Sequence, residues 1–351
     1  MADSVRNAPK STLVPHAPVR SGSGALTKRR RYRTPSGIAW ILPGFVVAVG
    51  IIYFCIGYSG YISLLPWNWR PGAPETIEGF ASYVRAFNSP LFWESLQHTV
   101  LFFIVAYVVQ TTMGIIFAAI LHSKVYAATL FKVIIFLPVV IAPAIMAPVH
   151  RRVFAVDGPI NWILQHIGLI HMDSLGNRDW VGWLSSALTH IGMGNVSPNW
   201  IQPSTSVWVI IAVQIWSSVG MAFILFYAAM GQIDPEMLEA ARIDGAGNLR
   251  VLLWIVVPNV RPTIIALAIL NAITSLKLFD FPYLITGGGP AHSSEFLGTY
   301  IYSELFGVSS HYGYAATLSV LLLILALGVS IIMSVSSRER EPGRKVKGEG
   351  V

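Results

Sequence analysis

Long apolar runs separated by short polar segments fill most of this chain. A helix needs about 20 apolar residues to cross the hydrocarbon core of a bilayer, and six runs have that reach: 38–65, 96–121, 130–149, 206–230, 256–285 and 312–335. The pattern predicts an all-α, polytopic membrane protein with six transmembrane helices. The third run contains Pro138, Pro143 and Pro148, and the fifth contains Pro258, Pro262 and Pro282. Proline lacks an N–H and clashes with the turn before it, so both spans are predicted to kink or unwind locally. Inside a membrane such breaks belong against protein or enclosed water rather than lipid.

The polar stretch 231–255 lies between the fourth and fifth runs and must therefore sit in water at one membrane face. Asp234-Pro235 reads as a helix start, with an acid that can cap free N–H groups and a proline at the first helical position. Met237, Leu238 and Ala241 give the predicted helix one weakly apolar face, while Glu236, Glu239 and Arg242 point largely elsewhere. Gly245 is expected to end it, because a helix closing into a tight corner often needs positive φ. Asn248 then starts a second helix. The product is a knob too small to own a core, with small alanines on its surface that let another protein come close. A plain solvated loop is the competing reading.

The order Glu239-Ala240-Ala241, three residues, Gly245, nine residues, Ile255, one residue, then Val257-Pro258 resembles the EAA signature of ABC-importer permeases, with Val257 where that family usually has Leu. Phe279-Asp280-Phe281 followed by Leu284-Ile285-Thr286-Gly287-Gly288-Gly289-Pro290 resembles the segment after the fifth membrane helix in the carbohydrate-uptake branch. Phe136-Leu137-Pro138, Gly158-Pro159-Ile160-Asn161-Trp162 and Thr299-Tyr300-Ile301-Tyr302 also have counterparts there. The resemblance covers roughly residues 36–337 and implies a type I ABC-importer permease fold. It further implies an assembly with a second homologous permease, two ABC ATPase subunits and an extracytoplasmic solute-binding protein. In that frame Glu239, Ala240 and Ala241 form the ATPase-docking face, Asp244 and Gly245 the corner, and Pro258 the junction with the fifth span. The implied cargo is a saccharide, polyol or glycerol-phosphate-like solute. Both Asn161-Trp162 and Asn199-Trp200 look like family landmarks, but relatives usually connect them more briefly, so 170–198 in the long outer loop 150–205 reads as an insertion.

Composition agrees with a membrane chain: 54% of the 351 residues are hydrophobic and 12% charged, too apolar for a soluble domain. The formal charge of +7 does not point to nucleic acid, because the basic residues crowd into two tails. Residues 1–37 form a disordered basic arm without apolar periodicity, and the run after it is too long for a signal peptide. The arm, Lys124, Arg242, Arg250 and the tail 338–351 carry sixteen of the 24 Lys and Arg residues. The opposite side holds Arg70, Arg85, Arg151, Arg152 and Arg178. The positive-inside rule then puts both termini and the knob in the cytoplasm, with the protein in the plasma (inner) membrane.

An enzyme is the rival class, and the chain offers no catalytic constellation. No Gly-x-x-x-x-Gly-Lys-Ser/Thr loop is present, so ATP hydrolysis is expected on a separate chain; no cofactor or metal is expected. His166 and His171 are five apart and share no helical face. Lys277 and Asp280, spaced i, i+3, are close enough to pair on a helix, and charges in a span should face protein or water. With Gln110, Gln214, Asn271 and Ser275 they are candidate lining groups of a translocation path. Structural pairing and interhelical hydrogen bonding are the plainer accounts of the same residues. Trp67, Trp69, Trp93 and Trp208 read as membrane-interface anchors in contact with lipid. Cys55, alone in an apolar run, reads as a small packed side chain. The alternative function is a stand-alone secondary transporter with Lys277 and Asp280 in ion coupling.

Overall fold

The computed structural model describes residues 38–123, 126–155, 157–172, 178–180, 182–190, 205–289, 292–308 and 310–338. The arm 1–37, Lys124, Pro290, Asn199-Trp200 and the tail beyond Arg338 lie outside the described residues, as does much of the expected insertion. The chain divides into two units, one ending at Tyr53 and the other running Phe54–Val351. The first contributes, among the described residues, the initial part of helix α1 (Ile38–Ile62).

In the second unit a short helix α2 (Ala81–Asn88) leads into α3 (Pro90–His122), which starts with Pro90 at the first helical position. Next come α4 (Ala128–Val140), α5 (Pro143–Val153) and α6 (Pro159–His166). A two-stranded antiparallel ribbon follows, β1 (Ile170–Met172) pairing with β2 (Arg178–Trp180). Helix α7 (Gly182–His190) completes the described part of the long loop 150–205, and α8 (Ser206–Met230) follows as the next apolar helix. The knob holds α9 (Pro235–Ile243) and α10 (Asn248–Val251). A π-helical turn (Leu252–Val256), the short α11 (Val257–Asn259) and α12 (Arg261–Leu276) make the fifth span. The described chain ends with α13 (Asp280–Ile285), α14 (Leu297–Phe306) and α15 (Tyr312–Arg338).

Among the described residues, four helices are long and apolar enough to cross a membrane unbroken, and two bent pairs bring the number to six if each counts as one span. Both bends fall at prolines. Ala142, which precedes Pro143, is extended at φ −62, ψ 139, the conformation that a following proline ring imposes, and α4 and α5 meet at 97°. In the fifth span Pro258 and Pro262 flank Val260, and the segments Asn248–Asn259 and Arg261–Leu276 meet at 68°. The π turn just before Pro258 is where the hydrogen-bond ladder widens to accommodate the missing N–H.

Helix α8 is the post around which this unit packs. Half of its span window is buried, against 28% for α3 and 11% for the sixth span. Close approach depends on small residues, as is usual between membrane helices. A Cβ on Gly114 of α3 would lie 3.0 Å from Phe226 and 3.1 Å from Ala222 of α8. On another face of α8, a Cβ on Gly220 would lie 2.5 Å from the Ile135 carbonyl oxygen of α4. Phe102, Met146, Ile210, Phe281 and Phe296 form one core, joining α3, α5, α8 and α13. Leu121, Phe226, Met230, Val256 and Val260 form a second beneath the knob. Phe92, Leu276, Tyr300, Tyr314 and Leu318 form a third near α14 and α15. Val100, Ile104 and Val108 on α3 and Ile324, Leu327 and Ile331 on α15 stay exposed, surface that suits lipid rather than water. Cys55 is likewise exposed on α1 and is not packed within this chain, which corrects the expectation of a small packed side chain.

Because Gly220 leaves no room for a methyl group, Gly220→Val is expected to overpack the α4–α8 contact by about 1–3 kcal/mol. A fall in the thermal unfolding midpoint of the detergent-purified chain, with Gly50→Val unchanged as the control, checks this.

Candidate functional site

The knob is held by a cap at one end and a closed corner at the other. Asp234 Oδ1 accepts the Glu236 N–H at 2.9 Å, and Pro235 occupies the first helical position of α9. At the far end the Ala246 N–H donates to the Ala241 carbonyl at 2.9 Å and the Gly245 N–H to the Arg242 carbonyl at 3.1 Å. This pair of bonds, with Gly245 at φ +81, is the Schellman closure that glycine makes without strain. A Cβ at Gly245 would meet nothing within 4 Å, so its backbone angle, and not crowding, is what calls for glycine.

The knob has two faces. Ile233, Leu238, Ala241 and Ala246 pack down onto the core that includes Leu121, Met230, Val251 and Val256. Glu236, Glu239, Ala240, Asp244 and Arg250 are exposed. Ala241 therefore does not share the outward face with Glu239 and Ala240: on a 3.6-residue helix it follows Leu238 inward, as the apolar spacing predicts, although the resemblance groups it with Glu239 and Ala240. The outward face also carries side chains that sequence reasoning missed. Ile243 is 86% exposed, Leu249 69% and Trp254 78%, and an open hollow lies among Gly245, Asn248, Leu249, Leu253 and Trp254. The signal was present, since these are large apolar residues within a segment otherwise rich in charge and turn formers. Pro258 lies in α11, next to the second core.

The polar residues of the spans turn mostly to their own helices. Ser275 Oγ donates to the Asn271 carbonyl at 2.6 Å, and Asn271 Nδ2 to the Leu267 carbonyl at 3.2 Å. Gln214 Nε2 donates to Ser218 Oγ at 3.0 Å. Gln110 is buried on α3. Among the described residues no hydrogen bond joins Gln110 or Gln214 to Asn271 or Ser275. Lys277 and Asp280 are both exposed and form no ion pair with each other, which corrects the expectation of a structural pair. The i, i+3 rule holds only within a continuous helix, and α12 ends at Leu276 while α13 begins at Asp280. Each charge instead answers a helix end: Lys277 caps the carbonyl end of α12 and Asp280 stands in the first turn of α13, both signs suited to the local dipole. Of the two histidines weighed from sequence, His166 ends α6, where its Nδ1 lies 2.8 Å from the Trp162 carbonyl oxygen and its ring stands 4.0 Å from the indole.

A further charged group was not foreseen from sequence. Glu295, 2% exposed, is buried under the turn formed by Gly287 (φ +64) and Gly288 (φ +80). Its Oε1 lies 3.1 Å from His292 Nδ1, while Oε2 has no hydrogen-bond partner. A Cβ on Gly288 would sit 2.6 Å from the carboxyl carbon, so the glycine makes the space that the acid occupies. Nothing in the local pattern marks this acid as buried, because its cover comes from the turn and from α3, whose His98 Nδ1 lies 2.9 Å from the Glu295 carbonyl oxygen.

Broken spans packed on a central helix and a capped knob after the fourth crossing define a multi-pass membrane permease. Its backbone matches that of a bacterial ABC transporter involved in the import of the acidic polysaccharide alginate, with a TM-score of 0.64 and 23% identity over 86% of this chain and 96% of that one. Residues 110–338 match the family described as the inner membrane component of binding-protein-dependent transport systems. The lactose transport system permease protein LacF of Rhizobium radiobacter is 31% identical over 89% of this chain and 97% of its own length. The trehalose/maltose transport system permease protein MalF of Thermococcus litoralis is 28% identical over 88% and 95%. The chain belongs to this family of ABC-transporter permeases, whose members sit in the inner membrane.

Two outcomes follow from the geometry. Asp234→Ala removes the cap and is expected to cost α9 about 0.5–2 kcal/mol, seen as faster amide exchange across residues 235–243 with the spans unchanged. Lys277→Gln and Asp280→Asn are each expected to change stability by less than about 0.5 kcal/mol. A double-mutant cycle should then return no coupling; a coupling above about 1 kcal/mol would restore the pair.

Proposed function

We propose that this chain forms half of the translocation path of an ATP-driven importer for a sugar or related polar solute, and that the segment 231–258 couples it to a separate ATPase. The observation that carries this reading is the knob: a capped helix with a rigid corner that turns Glu239, Ala240, Ile243, Leu249 and Trp254 outward into water. Large apolar side chains left exposed beside charges suit a protein contact. Glu239, Ala240, Asp244 and Gly245 make the docking surface, Ala241 anchors it from beneath, and Pro258 hands its motion to the fifth span.

The partners of this reading are a second homologous permease, two ATPase subunits and a solute-binding protein on the outer side. A bacterial alginate ABC transporter of the same fold has been solved in complex with an alginate pentasaccharide-bound periplasmic protein, which supports the last of these. Relatives named for lactose transport and for trehalose and maltose transport support a saccharide cargo. The charge bias of the loops supports a cytoplasmic knob and cytoplasmic termini. Nucleotide drives transport only by binding one arrangement of the assembly better than the other. Closure of the ATPase pair around ATP would shift the docked knobs and, through the broken fifth span, exchange inward-open for outward-open forms. Gln110, Gln214, Asn271, Ser275, Lys277 and Asp280 are the proposed polar contacts along the path.

Gly245→Asp tests the docking role, with Gly245→Asn beside it. Both residues tolerate positive φ better than other side chains, so both chains should insert and co-purify at ordinary levels, and the aspartate adds charge at the contact. In liposomes with the ATPase subunits and binding protein, solute uptake is expected to fall at least about tenfold for Gly245→Asp, a loss of about 1.4 kcal/mol of coupling, and much less for Gly245→Asn. Undiminished uptake by Gly245→Asp would remove the knob from the mechanism.

A further inference from the structure

Beneath the knob lies a cavity of about 350 Å³ that shares only Leu249 with the surface given to the ATPase contact. It opens where the ends of α3 and α8 meet α9 and α10, the level at which lipid-exposed spans give way to the polar loop. Ile116, Ala119, Ile120, Met230, Leu238 and Val256 are among its apolar walls, and its polar groups are His122, Ser123, Arg242 and Asn248. The volume falls within the range of small-molecule sites, about 300–1,000 Å³.

The lining carries charge of one sign. Arg242 contributes a guanidinium that forms no ion pair among the described residues, and neither Glu239 nor Asp244 lines the cavity. The His122 ring stands edge-on to Tyr227 at 5.9 Å, and Lys132 reaches the same tyrosine, its Nζ donating to the hydroxyl at 2.6 Å. One guanidinium and one imidazole thus line an apolar hollow where the spans meet the polar loop, with Lys132 outside the lining but on the tyrosine behind His122. A ligand that fits presents an anion to Arg242 and His122 and hydrocarbon to the walls. Inorganic anions lack the second feature and neutral sugars lack both. An apolar peptide would meet an unanswered guanidinium.

We propose that this cavity binds one phospholipid with an anionic headgroup, its phosphate on Arg242 and the upper part of an acyl chain against Ala119, Ile120 and Val256. The proposal goes beyond the transport reading; only the assignment of the lipid to the cytoplasmic leaflet rests on it. Anionic lipids are abundant in that leaflet and favour juxtamembrane basic residues. A lipid seated there touches both the knob and the helices it moves against, so its occupancy would set how firmly α9 rests on α3 and α8.

The test is native mass spectrometry of the full-length chain in detergent with dioleoyl phosphatidylglycerol or dioleoyl phosphatidylcholine. The expected result is one retained phosphatidylglycerol, held at least about tenfold more tightly than phosphatidylcholine. Ala119→Phe, which fills the hollow, should abolish retention. Arg242→Gln should remove the headgroup preference while leaving a correctly folded chain, checked by an unchanged thermal midpoint. Equal retention of the two lipids by the wild type, or undiminished retention by Ala119→Phe, would identify annular lipid and overturn the proposal. Displacement by inorganic phosphate alone would assign the groups to a free anion and overturn it too. Binding in detergent is independent of membrane orientation and of ATPase coupling, so this result stands or falls apart from the transport reading.

Discussion

Within hydrocarbon a backbone N–H or C=O freed from its helix finds no water, and each such group left alone costs several kcal/mol. This constraint decides where the chain can be irregular. Both bent spans break at prolines, and both rest against α8, the most deeply packed of the crossing helices. Helix α8 itself runs unbroken from Ser206 to Met230. An intact helix at the centre gives its broken neighbours a continuous surface to pack on, with Val260 at the fifth-span bend buried and Ala142 at the third-span bend still exposed. Gly220 lets α4 come close to α8, and Gly114 does the same for α3 against Ala222 and Phe226.

The same logic reaches the knob. Its helix is only nine residues long, too short to persist alone in water, and it is fixed by three local devices: the Asp234 cap, the Gly245 closure and an apolar underside on the second core. Those devices leave the upper side free for Ile243, Leu249 and Trp254, which no part of the described chain covers. A locally fixed mount with an uncovered apolar top suits the protein contact proposed for it.

The crossing helices were legible in the sequence because apolar runs longer than any soluble core helix admit few other folds, and the bends were legible because proline acts through local geometry. The knob's boundaries followed from Asp234, Pro235 and Gly245 for the same reason. What escaped was set by distant partners. Helices α2 and α14 are short and pack their faces against α15, a contact that no window of their own residues announces. Glu295 reads as an exposed loop acid, and its burial depends on the glycine turn lying across it. The Lys277–Asp280 pair failed because residue spacing was taken for helix geometry across a stretch that is not helical.

The fit of Gly220 against the Ile135 carbonyl has a mechanical corollary. With no side chain between them, the backbones of α4 and α8 can neither slide nor separate cheaply, whereas α5, past the 97° bend, shares its core with α13. The third span is in effect two struts, one seated on α8 and the other chiefly on α13, within a core that α8 also enters. A shift of α13 against α8 would bend the chain most readily at Ile141 and Ala142, where the two struts join outside regular helix.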